Sequence, residues 1–195
     1  MNHINGNLAY EIEPETEIIG GKVVMMASPT TNHITIGFNL SRLFGNYLDD
    51  KPCRVYPDGT TLFLEDSREE YKPDMMIVCD PDKIRRNGIH GAPDLAVEIL
   101  SPKTARHDRG RKMKAYERNG VREYWIVDPV NRSIEQYILE DGAFVLRDIY
   151  TQYTEETFGD LTDAEKAAVV TEFQCSLFDD LNIRLKDVFA HLIDK

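Results

Sequence analysis

Ala92-Pro-Asp94-Leu-Ala-Val-Glu98-Ile-Leu100 runs through Ser-Pro-Lys-Thr104 into a basic stretch that carries Asp108, Lys112 and Tyr116. Its first half is a short apolar run entered through Pro-Asp, the pattern of a buried strand. Upstream, Lys72-Pro73-Asp74 feeds a second such run, Met-Met-Ile-Val-Cys79. Downstream, Ser101 and Thr104 are helix-capping residues, and the periodic stretch after them stops at Asn119-Gly120, a left-handed C-terminal pair. Glu123-Tyr-Trp-Ile-Val-Asp128 is a further apolar strand, and Asp128-Pro-Val-Asn-Arg132 turns it into a hairpin partner over Ser133 to Leu139. Strands, helix and strand in this order predict a mixed β-sheet flanked by helices, an α/β (α+β) domain.

Outward from this centre the pattern continues. Glu17-Ile-Ile-Gly-Gly-Lys-Val-Val predicts a Gly-Gly hairpin. Ile34, Phe38, Leu40, Leu43, Phe44, Tyr47 and Leu48 recur at helical spacing after the Ser28-Pro29-Thr30 turn. Cys53 to Glu65 reads as a strand pair broken at Pro57-Asp58-Gly59. Ala143 to Tyr150 continues the sheet, Val169 to Phe173 is a last strand, and Ile183 to Leu192 a closing helix. With no repeat, low-complexity tract or Gly/Ser linker, one domain over residues 1–195 is expected, its core at about 10–140 and an extension at 141–195.

An apolar fraction of 42% and a charged fraction of 29% are those of an ordinary soluble protein. No run approaches the ~20 apolar residues that span a bilayer, and the N-terminus lacks a signal pattern, so no membrane partner and a cytoplasmic location are expected. Cys53, Cys79 and Cys175 form no Cys-x-x-Cys pair and read as reduced thiols. The net charge of −11 argues against a surface coated for nucleic acid. Between Lys103 and Lys114, however, six Lys/Arg face one acid, Asp108, and Lys83, Arg85 and Arg86 form a second basic cluster. Such a patch fits an active-site mouth or a solvated helix face equally well.

Glu98 interrupts an apolar strand, where a carboxylate is costly without a cation, a proton or an arginine to answer it. With Asp74 it supplies the hard oxygen ligands of Mg²⁺ (or Mn²⁺), leaving coordination sites for water and a substrate phosphate. Pairing of Glu98 with a neighbouring Lys or Arg is an equal alternative from spacing alone. Asp94 stands four residues before Glu98 and is a supporting acid or turn chemistry. Asp108, Lys112 and Tyr116 share a helix stripe. Lys112 is the candidate to neutralise the attacked phosphate, Asp108 would fix it, and Tyr116 would pack below or donate its hydroxyl; an ordinary surface ion pair is the plainer reading of the same stripe. His33, at the start of the first helix, titrates near neutrality and is a candidate for phosphate contact or proton transfer. The remaining histidines lack zinc-ligand spacing, and no nucleophile elbow, P-loop or dinucleotide fingerprint occurs.

The run from Ala92 to Pro129, together with Gly21-Lys-Val-Val-Met-Met-Ala-Ser-Pro29, His33 and Tyr71-Lys-Pro-Asp74, resembles the signature of the Uma-type family of restriction endonucleases in the PD-(D/E)xK nuclease superfamily. The likeness covers roughly residues 10–140. It implies a restriction-endonuclease-like core with Asp74 as the motif aspartate and Glu98 as the acid of the (D/E)xK element. Leu100 stands where that element has its lysine, and the resemblance implies that Lys112 reaches the vacated place.

The leading expectation is therefore a Mg²⁺-dependent nuclease with Asp74, Glu98 and Lys112 as catalytic residues. Asp94, Asp108, His33 and Tyr116 would support them, and nucleic acid, DNA first, would be the partner. The alternative is an inactive nuclease-fold module for nucleic-acid or protein binding. A third is a dimer-forming structural protein, with apolar tail residues such as Phe173, Leu177, Phe178, Val188, Phe189 and Leu192 covering either the core or a second subunit.

Overall fold

The computed structural model describes residues 16–26, 28–64, 69–102 and 104–193. Residues 1–15 and Lys103 of the basic run lie outside the described residues. Gly20 and Gly21 take φ of 59° and 71°, which a tight hairpin turn requires and glycine supplies without steric penalty. They join β1 (Thr16–Ile19) to β2 (Lys22–Met25). Thr30 caps α1 (Thr31–Leu48) by accepting from His33 N–H at 3.2 Å, which starts the helix where the turn residues placed it. There follow β3 (Arg54–Pro57), β4 (Leu62–Leu64), β5 (Glu69–Tyr71) and β6 (Met75–Val78). Next come β7 (Ile84–Arg85), β8 (Gly88–His90) and β9 (Leu95–Ile99). The helical stretch beyond is α2 (Ala105–His107), a π-turn over Asp108–Lys112, and α3 (Met113–Asn119), closed by Gly120 at φ 84°. β10 (Glu123–Asp128), β11 (Ser133–Glu140) and β12 (Ala143–Thr151) form a meander. Short α4 (Glu155–Gly159) and α5 (Asp163–Ala168), β13 (Glu172–Gln174), β14 (Asn182–Arg184) and α6 (Leu185–Val188) complete the chain.

Two six-stranded mixed sheets result, in the orders β12-β11-β10-β9-β6-β3 and β2-β1-β5-β4-β8-β7. In the first, β9 and β10 run parallel and β6 is antiparallel to β9. Both faces of its centre are covered, which is why these strands read as continuous apolar runs rather than alternating ones. Met75, Ile77, Leu95, Val97, Ile99, Trp125 and Val127 pack with α1 and the C-terminal Phe173, Ile183, Val188 and Phe189. Met76, Val78, Ala96, Tyr124 and Ile126 face the other sheet and α3. The tail residues therefore cover this chain's own core.

Three readings are corrected. β3 and β4 do not pair with each other; Arg54–Pro57 lies along β6, whereas Leu62–Leu64 joins the other sheet. The closing helix is instead β14 followed by one turn, because Ile183 pairs with Phe173. Between β12 and β13, α4 and α5 each start at a Thr capping box. Finally, the cysteines are not all reduced: Cys53 and Cys79, brought side by side where β3 meets the end of β6, are joined by a disulfide, and Cys175 is free and buried.

Gly88 lies where β8 passes under β4, with φ at 139°. A Cβ there would collide with the Thr61 carbonyl oxygen and stand 2.9 Å from Phe63 Cε2. Backbone is the obstacle, so Gly88→Ala should lower unfolding free energy by about 1–3 kcal/mol, measured by urea denaturation. A variant as stable as the parent would show that β4 and β8 are not held this closely.

Candidate functional site

Period-two geometry places Glu98. Leu95, Val97 and Ile99 turn to the α1 side of β9, so Glu98 shares the opposite face with Ala96, under the β1–β2 hairpin and the helical stretch. There it is 3% exposed. Its Oε2 accepts from Lys112 Nζ at 3.0 Å and its Oε1 from the Tyr116 hydroxyl at 2.7 Å. Both donors come from the π-turn and α3. The wider π-turn keeps Asp108 and Lys112 on the buried side together, and such turns concentrate at functional positions.

Lys112 Nζ also lies 2.9 Å from Glu17 Oε1 and 3.7 Å from Asp108 Oδ1. One ammonium thus answers three buried carboxylates. Burial acts to lower its pKa, but Glu98, Glu17 and Asp108 outweigh burial, so the lysine is held protonated. Burial drives the Glu98 carboxyl well above the ordinary range, opposed by Lys112 and reinforced by Asp108, Asp74 and Glu17. Asp108 is shifted upward too, by burial first. Both Asp108 carboxylate oxygens are buried without a hydrogen-bond partner in the structure.

Asp74, entering β6, completes the cluster. Its Oδ2 accepts from Ile99 N–H at 2.5 Å, which locks it to the end of β9 beside Glu98. Its Oδ1 is 2.9 Å from His33 Nε2. Burial acts to lower the His33 pKa, but the Asp74 hydrogen bond and charge exceed it and the net shift is upward. His33 Nε2–H is accordingly the donor. A cleft of about 280 Å³ opens directly above, lined by Glu17, His33, Asp74, Glu98 and Lys112 at its floor.

Six of the seven residues singled out from the sequence converge: Asp74, Glu98, Lys112, Asp108, His33 and Tyr116. Asp94 does not. It sits at the other end of β9, accepting from Cys79 N–H at 2.8 Å and pairing with Arg122 at 3.3 Å, where it ties strands rather than lining the cleft. Glu17 was missed. Its Oε1 accepts from Lys72 N–H at 2.8 Å as well as from Lys112, so it joins the hairpin to the approach of Asp74. The available signal was its period-two relation to buried Ile19 in Thr16–Ile19, which places a carboxylate on the inward face.

Among the described residues, no three His, Cys, Asp or Glu side chains form a ready metal cage. Mg²⁺ does not require one, since it binds through one or two carboxylates together with waters and substrate phosphate. The donor set here is hard oxygen. Four acidic side chains (Glu17, Asp74, Glu98 and Asp108) surround Lys112 and His33, and Asp108 is met by the Lys112 ammonium only at 3.7 Å. Excess buried negative charge of this kind fits a divalent cation.

A crystal structure of a protein titled as a putative nuclease belonging to DUF820 from Anabaena variabilis superposes with a TM-score of 0.68 at 17% identity, covering 91% of this chain and 90% of that one. This likeness bears on the fold. Two Synechocystis proteins are similar in sequence. "Uncharacterized protein slr1290" is 30% identical over 65% of this chain and 67% of its own length, and "Uncharacterized protein sll1609" is 27% identical over 63% and 71%. The model of the Uma2 family, described as "Putative restriction endonuclease", matches residues 8–174, and with the restriction-endonuclease-like core in place the chain belongs to that family.

Proposed function

We propose that this protein is a metal-dependent nuclease that hydrolyses phosphodiester bonds in the cleft above Glu98. The observation that carries the reading is Lys112 gripped by Glu98 at the floor of an open cleft, with Asp74 locked alongside by Ile99 N–H. This is the acid–acid–lysine set that the resemblance to the PD-(D/E)xK superfamily implies, with the lysine coming from the helical stretch and Leu100 standing in its usual place.

Asp74 and Glu98 would hold the cation, Mg²⁺ or Mn²⁺, which supplies a water of lowered pKa and offsets charge on the phosphate. The chain's own groups do the rest. Lys112 presents a fixed positive charge to the attacked phosphate. Tyr116 holds Glu98 Oε1, and Glu17 and Asp108 hold Lys112, so neither side chain reorganises as charge develops. His33 fixes Asp74 and keeps a proton at Nε2 facing its Oδ1. DNA as the strand cut, a homodimer and a cytoplasmic location complete the reading.

The test is cleavage of DNA and RNA by the purified full chain with Mg²⁺ or Mn²⁺ against chelator. Glu98→Gln keeps the shape and removes the charge, and activity should fall by roughly a hundredfold or more. Cleavage that persists in Glu98→Gln would overturn the assignment. One observation favours an inactive binding module instead: both Glu98 oxygens are already engaged, by Lys112 and Tyr116. Calorimetry showing no Mn²⁺ binding at millimolar metal by the folded protein would establish that alternative.

A further inference from the structure

The walls of the cleft differ in chemistry from its floor. The hairpin side contributes Val24, Met25, Met26 and Pro29, and the facing side Ser101, Thr104 and His107. Met25 is 68% exposed on β2, an apolar side chain standing in water beside a charged site. The carboxylates that would act on a phosphate lie beneath, each nearly fully buried. Among the described lining residues there is no arginine, and the basic side chains are Lys72 and His107 besides buried Lys112 and half-buried His33. Asp58 also lines the cleft.

We propose that the substrate is an unpaired strand, of which one nucleotide enters the cleft with its base or sugar against the Val24–Met25–Met26–Pro29 side. The inference rests on the nuclease reading and adds the class of strand. A duplex hides its base faces in the stack and carries its phosphates on a stiff rod, so it offers an apolar wall nothing to contact. To bring a phosphate to Glu98 it would have to enter a space of only about 280 Å³. Duplex binders also rely on many simultaneous phosphate contacts, whereas single-strand sites combine a modest cationic track with surfaces for exposed bases. The overall charge of −11 gives a rigid polyanion no long-range attraction, and a flexible strand can present one phosphate at a time.

The experiment pairs binding with cleavage. Fluorescein-labelled single-stranded DNA, single-stranded RNA and a blunt DNA duplex are titrated by anisotropy in Ca²⁺, and the same strands plus a relaxed closed duplex circle are incubated with Mg²⁺ or Mn²⁺. Single strands should bind at least about tenfold more tightly than duplex and be cut while the circle stays intact. The DNA and RNA arms identify the sugar. Met25→Asp should weaken single-strand binding by roughly tenfold, whereas Val145→Asp, an equal charge change on exposed β12, should not. A circle cut as fast as single strands overturns the inference and leaves the nuclease reading standing. Single strands bound but never cut overturn hydrolysis and leave the strand class. Absence of both binding and cleavage overturns both.

Discussion

Lys112→Met should destabilise the protein by about 3–5 kcal/mol, a loss larger than that of any surface substitution. Methionine fills nearly the same volume, so packing is conserved and the change isolates the charge. Without the ammonium, Glu98, Glu17 and Asp108 face one another in a dry interior, each with a contact removed at 3.0, 2.9 and 3.7 Å. The pH dependence follows from the shifts. Burial places the folded-state pKa of Glu98 and of Asp108 above their ordinary values, while Lys112 pulls both down. A carboxyl with a raised folded pKa binds its proton more tightly when folded. Its stabilisation is complete below about pH 4, the unfolded range, and is lost as pH rises through the folded value. Removing Lys112 removes the downward pull, so the variant should lose more stability than the parent as pH rises above about 4, the unfolded range. Adding Glu17→Gln and Glu98→Gln to Lys112→Met should recover part of the loss, because a neutral cluster needs no cation. Chemical denaturation across pH measures all three proteins. A Lys112→Met penalty under about 1 kcal/mol, the range of an exposed pair, would mean that the three acids are not truly confined with the lysine.

The same cluster shows what a sequence can and cannot disclose. Glu98 was legible because a charge inside Leu95-Ala-Val-Glu-Ile-Leu100 demands a partner, a cation or a neighbouring Lys or Arg, and Lys112, which the family resemblance pointed to, is that partner together with Tyr116. The strands β6, β9 and β10 were legible because burial on both faces leaves unbroken apolar runs. Glu17 was not, since β1 is four residues long and its contact with Lys112 spans most of a hundred positions of chain. Pairing of β3 with β6 skips the nearer β4, which local pattern does not reveal, and the Cys53–Cys79 bridge depends on that pairing. Asp94 misled for a physical reason. Four residues along a strand conserve the face but move the side chain by about 13 Å, which carries it from the cleft to the opposite end of β9. In the tail, Ile183 to Leu192 has helical spacing, yet Phe173 offered Ile183 a strand partner and tertiary pairing won.

Asp74→Asn is the second large effect, and it separates chemistry from architecture. The carboxylate accepts two hydrogen bonds, from Ile99 N–H at 2.5 Å and from His33 Nε2–H at 2.9 Å. An asparagine can accept only one of them through its carbonyl, and its amide then points donor to donor at the other. Stability should fall by about 1–3 kcal/mol, the range for leaving one buried polar group unsatisfied. On the proposed function, nuclease activity should fall further, by about a hundredfold or more, because one of the two carboxylates proposed to hold the cation is neutralised. His33 provides an internal reporter. Burial alone lowers its pKa, and the Asp74 hydrogen bond and charge are the main opposing causes, with lesser support from Asp58 and Asp108. In the variant the His33 pKa should therefore move down, as followed by NMR titration of its ring proton. A folded Asp74→Asn protein with unchanged cleavage and an unmoved His33 titration would remove Asp74 from the site. Loss of cleavage with the histidine shift and a modest stability change would instead show that the carboxylate both acts on the phosphate and holds the imidazole in place.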